Sequence, residues 1–237
     1  MIIWNKTIGL LGFGIHLLTS LSSSAQGVSE RMRSATHVFW QPENKLEAND
    51  YRRQVDPSEK EKLYCDSLEL CTEASLGLWY KLDVPKRKRD RGKILEKVYI
   101  VPVFEFVTSY RIRDTPTGLQ EQQVVFDIYE LTARKARNEL EHLHDSMPGY
   151  GIDYIFLETV MADAIALRKE MVDAYVRDVY IRSQEGSFEK WRKLIDDLLE
   201  ESIELVTSIE DCQRFMSDRP LIDGYIESPT LMRAMKR

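Results

Sequence analysis

Four histidines and three cysteines are all the nitrogen and sulfur ligands that 237 residues offer a transition metal. One of the four, His16, falls in a segment that reads as a removable leader, which leaves His37, His142 and His144. His142 and His144 are two apart, so on a helix they point roughly 200° away from each other and cannot grip one ion together. Long apolar runs are missing too. The best, Ile8 to Leu18, is broken by glycines and His16, and a bilayer needs about 20 apolar residues. No G-x-S-x-G, P-loop or glycine-rich dinucleotide fingerprint occurs, and no repeat of solenoid period. Positive charge is in deficit: the net charge is −6, or −7 once Lys6 leaves with the leader. That balance favours solubility and speaks against non-specific nucleic-acid binding.

What is present begins with compartment. Lys6, the apolar run and the small residues Ser23-Ser24-Ala25 follow the order of a secretory signal. Residues 1–25 are therefore expected to be a signal peptide and the chain to be exported, periplasmic or secreted, with no transmembrane span after cleavage. In such a compartment Cys65 and Cys71 could close a small loop and leave Cys212 free. Three buried thiols are the alternative.

Residues 26–210 read as one α+β domain. "HVFW" at His37–Trp40 opens a strand, and Pro57-Ser58-Glu59 marks a turn or helix start. "LGLWYKLDV" and "ILEKVYIVPVFEFV" are rich in β-branched and aromatic residues and predict two antiparallel strands. The basic run "PKRKRDRGK" between them reads as a solvated loop tip, and Pro102 places the second strand at an edge or on a bulge. Helical periodicity then predicts a long central helix over Leu119–Leu143 and a second over Asp153–Tyr180. A third, N-capped by Ser187, is predicted over Phe188–Ile209. The expectation is a small antiparallel sheet packed against the central helix and two further long helices. Residues 211–237 are turn-rich and read as a C-terminal arm or tail.

The central helix carries "EQQVVFDIYELTARKARNEL". From Phe126, Asp127, Ile128 and Glu130 through Ala133, Arg134, Lys135, Glu139 and Leu140 it resembles an uncharacterised bacterial family of exported domains described as zinc-dependent proteases. Their helix reads H-E-x-x-H-F-D-I. Weaker similarities lie at Trp40, Leu46, Asp50-Tyr51, "FVTSY" and Trp191. The resemblance covers roughly Thr36 to Leu199, and it implies a zinc held by two histidines four apart, with a glutamate as base.

Here those positions are altered together. Glu121 stands at the first histidine, Gln122 at the glutamate and Val125 at the second histidine. An amide does not titrate near neutrality and an alkyl group has no lone pair. A further ligand, expected in "YVRDVYIRSQEGSFEKW", has no histidine to supply it. Asp127 and Glu130 are candidates for a residual polar site, or else pair with Arg134 or Arg137 on a charged helix.

The resulting expectation is a non-catalytic relative of the protease domain, with no cofactor and with a structural or binding role in the cell envelope. Its partner is unknown, with an envelope protein as candidate. The alternative is a hydrolase in which Glu121, Glu130 and the Gln184-Glu185 loop converge in one cleft. A third reading, a helical adaptor, needs exposed apolar residues on Asp153–Ile209 beyond what the core uses.

Overall fold

The hairpin predicted from β-branched and aromatic residues is the centre of the fold. In the computed structural model, which describes residues 32–91, 95–147, 149, 151–217 and 219–228, its strands are flanked on both sides. The expected signal peptide, residues 1–25, and the last residues of the expected tail, 229–237, lie outside those described, as does part of the basic run. Strand β1 (His37–Phe39) precedes helix α1 (Glu59–Leu68) and the short strand β2 (Thr72–Glu73). The hairpin pairs β3 (Leu76–Pro85) with β4 (Lys97–Glu105), and β5 (Tyr110–Arg111) follows. Then come α2 (Gly118–Ser146), α3 (Ile152–Val176), α4 (Ser187–Glu201), α5 (Ile209–Ser217) and β6 (Tyr225–Glu227). The fold is α+β. Its antiparallel sheet runs β1-β4-β3-β6, and β2 pairs with β5 apart from it.

Strand alternation divides the sheet into two covered faces. Leu78, Leu82, Val84 and Ile100 point at Ala133, Ala136 and Leu140 of α2 and at Leu157, Val160, Met161 and Ala164 of α3. Val101, Val103 and Phe39 point the other way, onto Cys212 and Phe215 of α5. This corrects the reading of 211–237 as an arm or tail. Residues 211–217 lie within the helix that seals the second face, and β6 adds a strand to β3. Arg214 of α5 is fully buried and holds Asp83 of β3 through two bonds of 2.7 and 2.8 Å, and Glu227 of β6 through one of 2.7 Å.

Three local expectations also change. Strand β4 is an inner strand, not an edge. Pro102 is tolerated there because its carbonyl accepts from Trp40 N at 3.1 Å just where β1 ends. Its missing N–H therefore faces the end of that ladder. Ser187 is the first residue of α4, and Gly186, at φ 75°, takes the cap position. Helix α4 stops at Glu201, short of Ile209, while α3 ends at Val176 and passes into a π-helical turn over Arg177–Ile181. The start at Ser58 is as expected: its hydroxyl accepts from Glu61 N, and Glu61 accepts from Ser58 N.

Cys65 and Cys71 form a disulfide, and Cys212 is a free, buried thiol. Burial, with Asp211 adding to it, pushes the Cys212 thiol up to about 12. A thiolate is the reactive species, so Cys212 should be inert in the folded protein. Titration with a chromogenic disulfide reagent at pH 8 should count no thiol in the native protein and one in denaturant, rising to three after reduction. Rapid labelling of native protein would contradict this packing.

Candidate functional site

The first turn of α2 is where the resemblance would put a metal, and the side chains at the three altered positions are all engaged in packing. Glu121 accepts from Thr117 Oγ1 at 2.6 Å and from the Tyr180 hydroxyl at 2.9 Å, and its main-chain carbonyl accepts from Tyr175 OH at 3.1 Å. Burial holds both phenols far above the usual tyrosine range, so they remain donors. Gln122 is buried. Its Oε1 accepts from Ala74 N at 2.9 Å and its Nε2 reaches Tyr180 OH at 3.5 Å. Val125 joins the apolar cluster of Val124, Ile128, Tyr175, Tyr180 and Ile195. Acid, amide and alkyl group thus tie α2 to the π-helical turn and to the segment before β3.

Below that turn α2 carries a second feature. Gln123, Asp127, Glu130, Arg134 and Arg137 recur at spacings of four, three, four and three, which on a helix is one stripe. Four of the five are buried, and burying charge is costly unless each atom is paired. Each is paired. Gln123 accepts from Leu46 N at 2.9 Å and donates to Asp127 at 2.8 Å. Asp127 also accepts from Trp40 Nε1 at 2.8 Å and from Arg192 of α4 at 2.7 Å. Glu130 accepts from Arg134 Nε and Thr207 N, each at 2.8 Å, and from the Thr207 hydroxyl at 2.5 Å. Arg134 donates to the carbonyls of Leu199 and Ser202. Arg137 donates to those of Leu205 and Ile100, and to Thr207 Oγ1.

Asp127 and Glu130, candidates for a residual polar site, are therefore internal struts with no exposed surface. Glu130 does pair with Arg134, as the spacing suggested, and Arg137 stands 3.7 Å from it. Asp127 pairs with Arg192 instead, 65 positions away, which no local spacing could reveal. Thr207 was likewise invisible to sequence reasoning. Glu121, Gln184 and Tyr180 do line one open cleft of about 470 Å3, but Glu130 is not among its lining residues. The convergence required by a rearranged carboxylate site does not occur. Among the described residues, no group of three or more His, Cys, Asp and Glu side chains is placed to hold a metal ion.

A different polar site lies at the far end of α2. His144 Nε2 stands 2.9 Å from Asp153 Oδ1 at the start of α3. Asp153 is buried, which raises its carboxyl above the usual aspartate range; the bond to His144 opposes this and nearby Glu96 adds to it. These residues share a cavity of about 550 Å3 with Tyr99, Arg137, Ser208 and Glu210. Ser208 is no free nucleophile, since its hydroxyl donates to Asp211 Oδ2 at 2.6 Å and accepts from Asp211 N. His142, its neighbour on α2, is exposed.

Helix α3 also exposes apolar residues on its outer side, among charged ones such as Glu158, Asp163 and Glu170. Ile155 is 64% exposed and Ile165 37%, with Ala162 and Ala166 exposed between and beyond them. No helix among the described residues is long and apolar enough to cross a membrane. No family model matches the chain, and no curated protein and no solved structure shows significant similarity to it.

Proposed function

We propose that this chain is an exported, non-catalytic relative of the zinc-protease-like domains, with a structural or binding role in the cell envelope. The observation that carries the reading is the fate of the three altered positions. Glu121, Gln122 and Val125 bond or pack to Thr117, Ala74, Tyr180 and the cluster around Ile128. A metal site needs lone pairs aimed at open space, and a hydrolytic one needs a base beside it. The retained block, by contrast, matches the packing needs of α2: Phe126, Ile128, Ala133 and Leu140 are buried apolar residues, and Asp127, Glu130 and Arg134 belong to the bonded stripe.

Export is supported by the leader-like residues 1–25 and by the Cys65–Cys71 disulfide, a bond that persists in oxidising compartments. The exposed apolar residues of α3 supply a surface on which an envelope partner could sit.

The test is metal analysis of the purified mature protein, paired with a peptidase assay on a denatured protein substrate. Dialysed protein is expected to carry substoichiometric zinc and to cleave nothing with or without added zinc. Stoichiometric zinc that disappears in Glu121→Ala, together with zinc-dependent peptide cleavage, would sink the proposal.

A further inference from the structure

The cavity at the His144 end of α2 is built for positive charge. Seven of its lining side chains carry carboxyl groups, against one lysine and one arginine. Together the two cations offset at most two of the seven. Arg137 directs its guanidinium to two main-chain carbonyls and a hydroxyl, and Lys97 lies 3.6 Å from Glu210. Acidic residues alone would be only a solvated face. What distinguishes this cavity is a buried polar atom in its wall with no hydrogen-bond partner among the described residues. Glu96 is 6% exposed; its Oε1 accepts from Tyr154 N at 3.4 Å, and its Oε2 is unpaired. Buried polar groups are nearly always bonded, so an orphan beside a cavity calls for an explanation. An unpaired carboxylate oxygen is costly, and only a donor can satisfy it.

We propose that this cavity binds an organic cation that presents several N–H donors, an alkylammonium or guanidinium group, seated between Glu96 and the His144–Asp153 pair. The size fits, because pockets for small molecules run from about 300 to 1,000 Å3. A bare divalent metal fits less well, since no three ligating side chains are grouped for one. An ammonium head instead donates in several directions and answers scattered carboxylates. The chemistry has two sources, a free polyamine or the lysine or arginine side chain of a peptide. The site stands apart from the reading of Glu121. The 23 positions from Glu121 to His144 on α2 put the two roughly 35 Å apart, so either idea can fail without the other.

Isothermal titration of the mature protein at low salt, with spermidine in one arm and a short lysine- and arginine-containing peptide in the other, tests the proposal. Saturable one-to-one binding is expected in at least one arm, and the arm identifies the source. Glu96→Gln and Asp153→Asn keep side-chain shape and are each expected to weaken binding by at least about tenfold. Glu141→Gln, at an exposed lining position, gives a further reading should a buried variant misfold. The His144 ring signals should shift on saturation, while metal content and the Glu121 end stay unchanged. The proposal is overturned if neither ligand saturates the protein. It is equally overturned if all three variants bind as tightly as the parent.

Discussion

Replacing Arg214 with alanine is expected to cost about 3–5 kcal/mol of folding stability, the range for removing one partner of a buried ion pair. The guanidinium is fully buried and is the clasp between α5, β3 and β6. Without it Asp83, 1% exposed, becomes a carboxylate sealed in protein with its main donor gone. Lys81 still reaches Glu227 at 3.0 Å, so β6 keeps one contact while the helix that covers the second sheet face loses its anchor. Arg214→Lys should fall between, because an ammonium cannot reproduce the two-toothed grip on Asp83. Urea denaturation followed by circular dichroism measures the change. A loss under about 1 kcal/mol in Arg214→Ala would mean that the clasp is not what holds α5 down.

The second large effect is expected at Glu130, at about 3–5 kcal/mol for Glu130→Ala. This one carboxylate receives Arg134, the Thr207 hydroxyl and Thr207 N, all in the interior. Its loss would strand two guanidinium groups and free the chain after α4. A double-mutant cycle with Arg134→Met should give a coupling of roughly 1–3 kcal/mol, as expected for contacting charged partners. Were Glu130 instead a leftover ligand with no structural duty, its removal would leave the melting curve where it was.

The hairpin and the long helices could be read because their signals are local: β-branched and aromatic runs for β3 and β4, a 3.6-residue apolar period for α2 and α3. What could not be read depended on distant partners. The periodicity of α4 continues past Glu201, but Arg134 takes the carbonyls of Leu199 and Ser202, and Ser202 Oγ bonds Leu198 O. Those bonds favour a turn where propensity favours a further stretch of helix. Residues 211–217 looked detachable because the stretch that follows them is turn-rich. The clue was in "VYIVPVFEF", which is apolar at nearly every position rather than at every second one, the mark of a strand buried on both faces. At the candidate site, the lack of a histidine pair four apart was plain from residue types. The burial of Asp127 and Glu130 was not, since a charged residue on a helix is usually solvated.

The antiparallel partnership of β3 with β6 sets a timetable for biogenesis. Val84 meets Ile226, so about 140 residues must be synthesised between the two halves of that ladder. At about 5–20 residues per second this is a wait of roughly 7–30 s, during which one margin of the nascent sheet is open to any passing strand. A polypeptide that cannot finish its sheet early keeps the β3 margin unpaired for that whole interval. Any cover over that margin, including the chain's own helices, would guard it against stray pairing until β6 arrives.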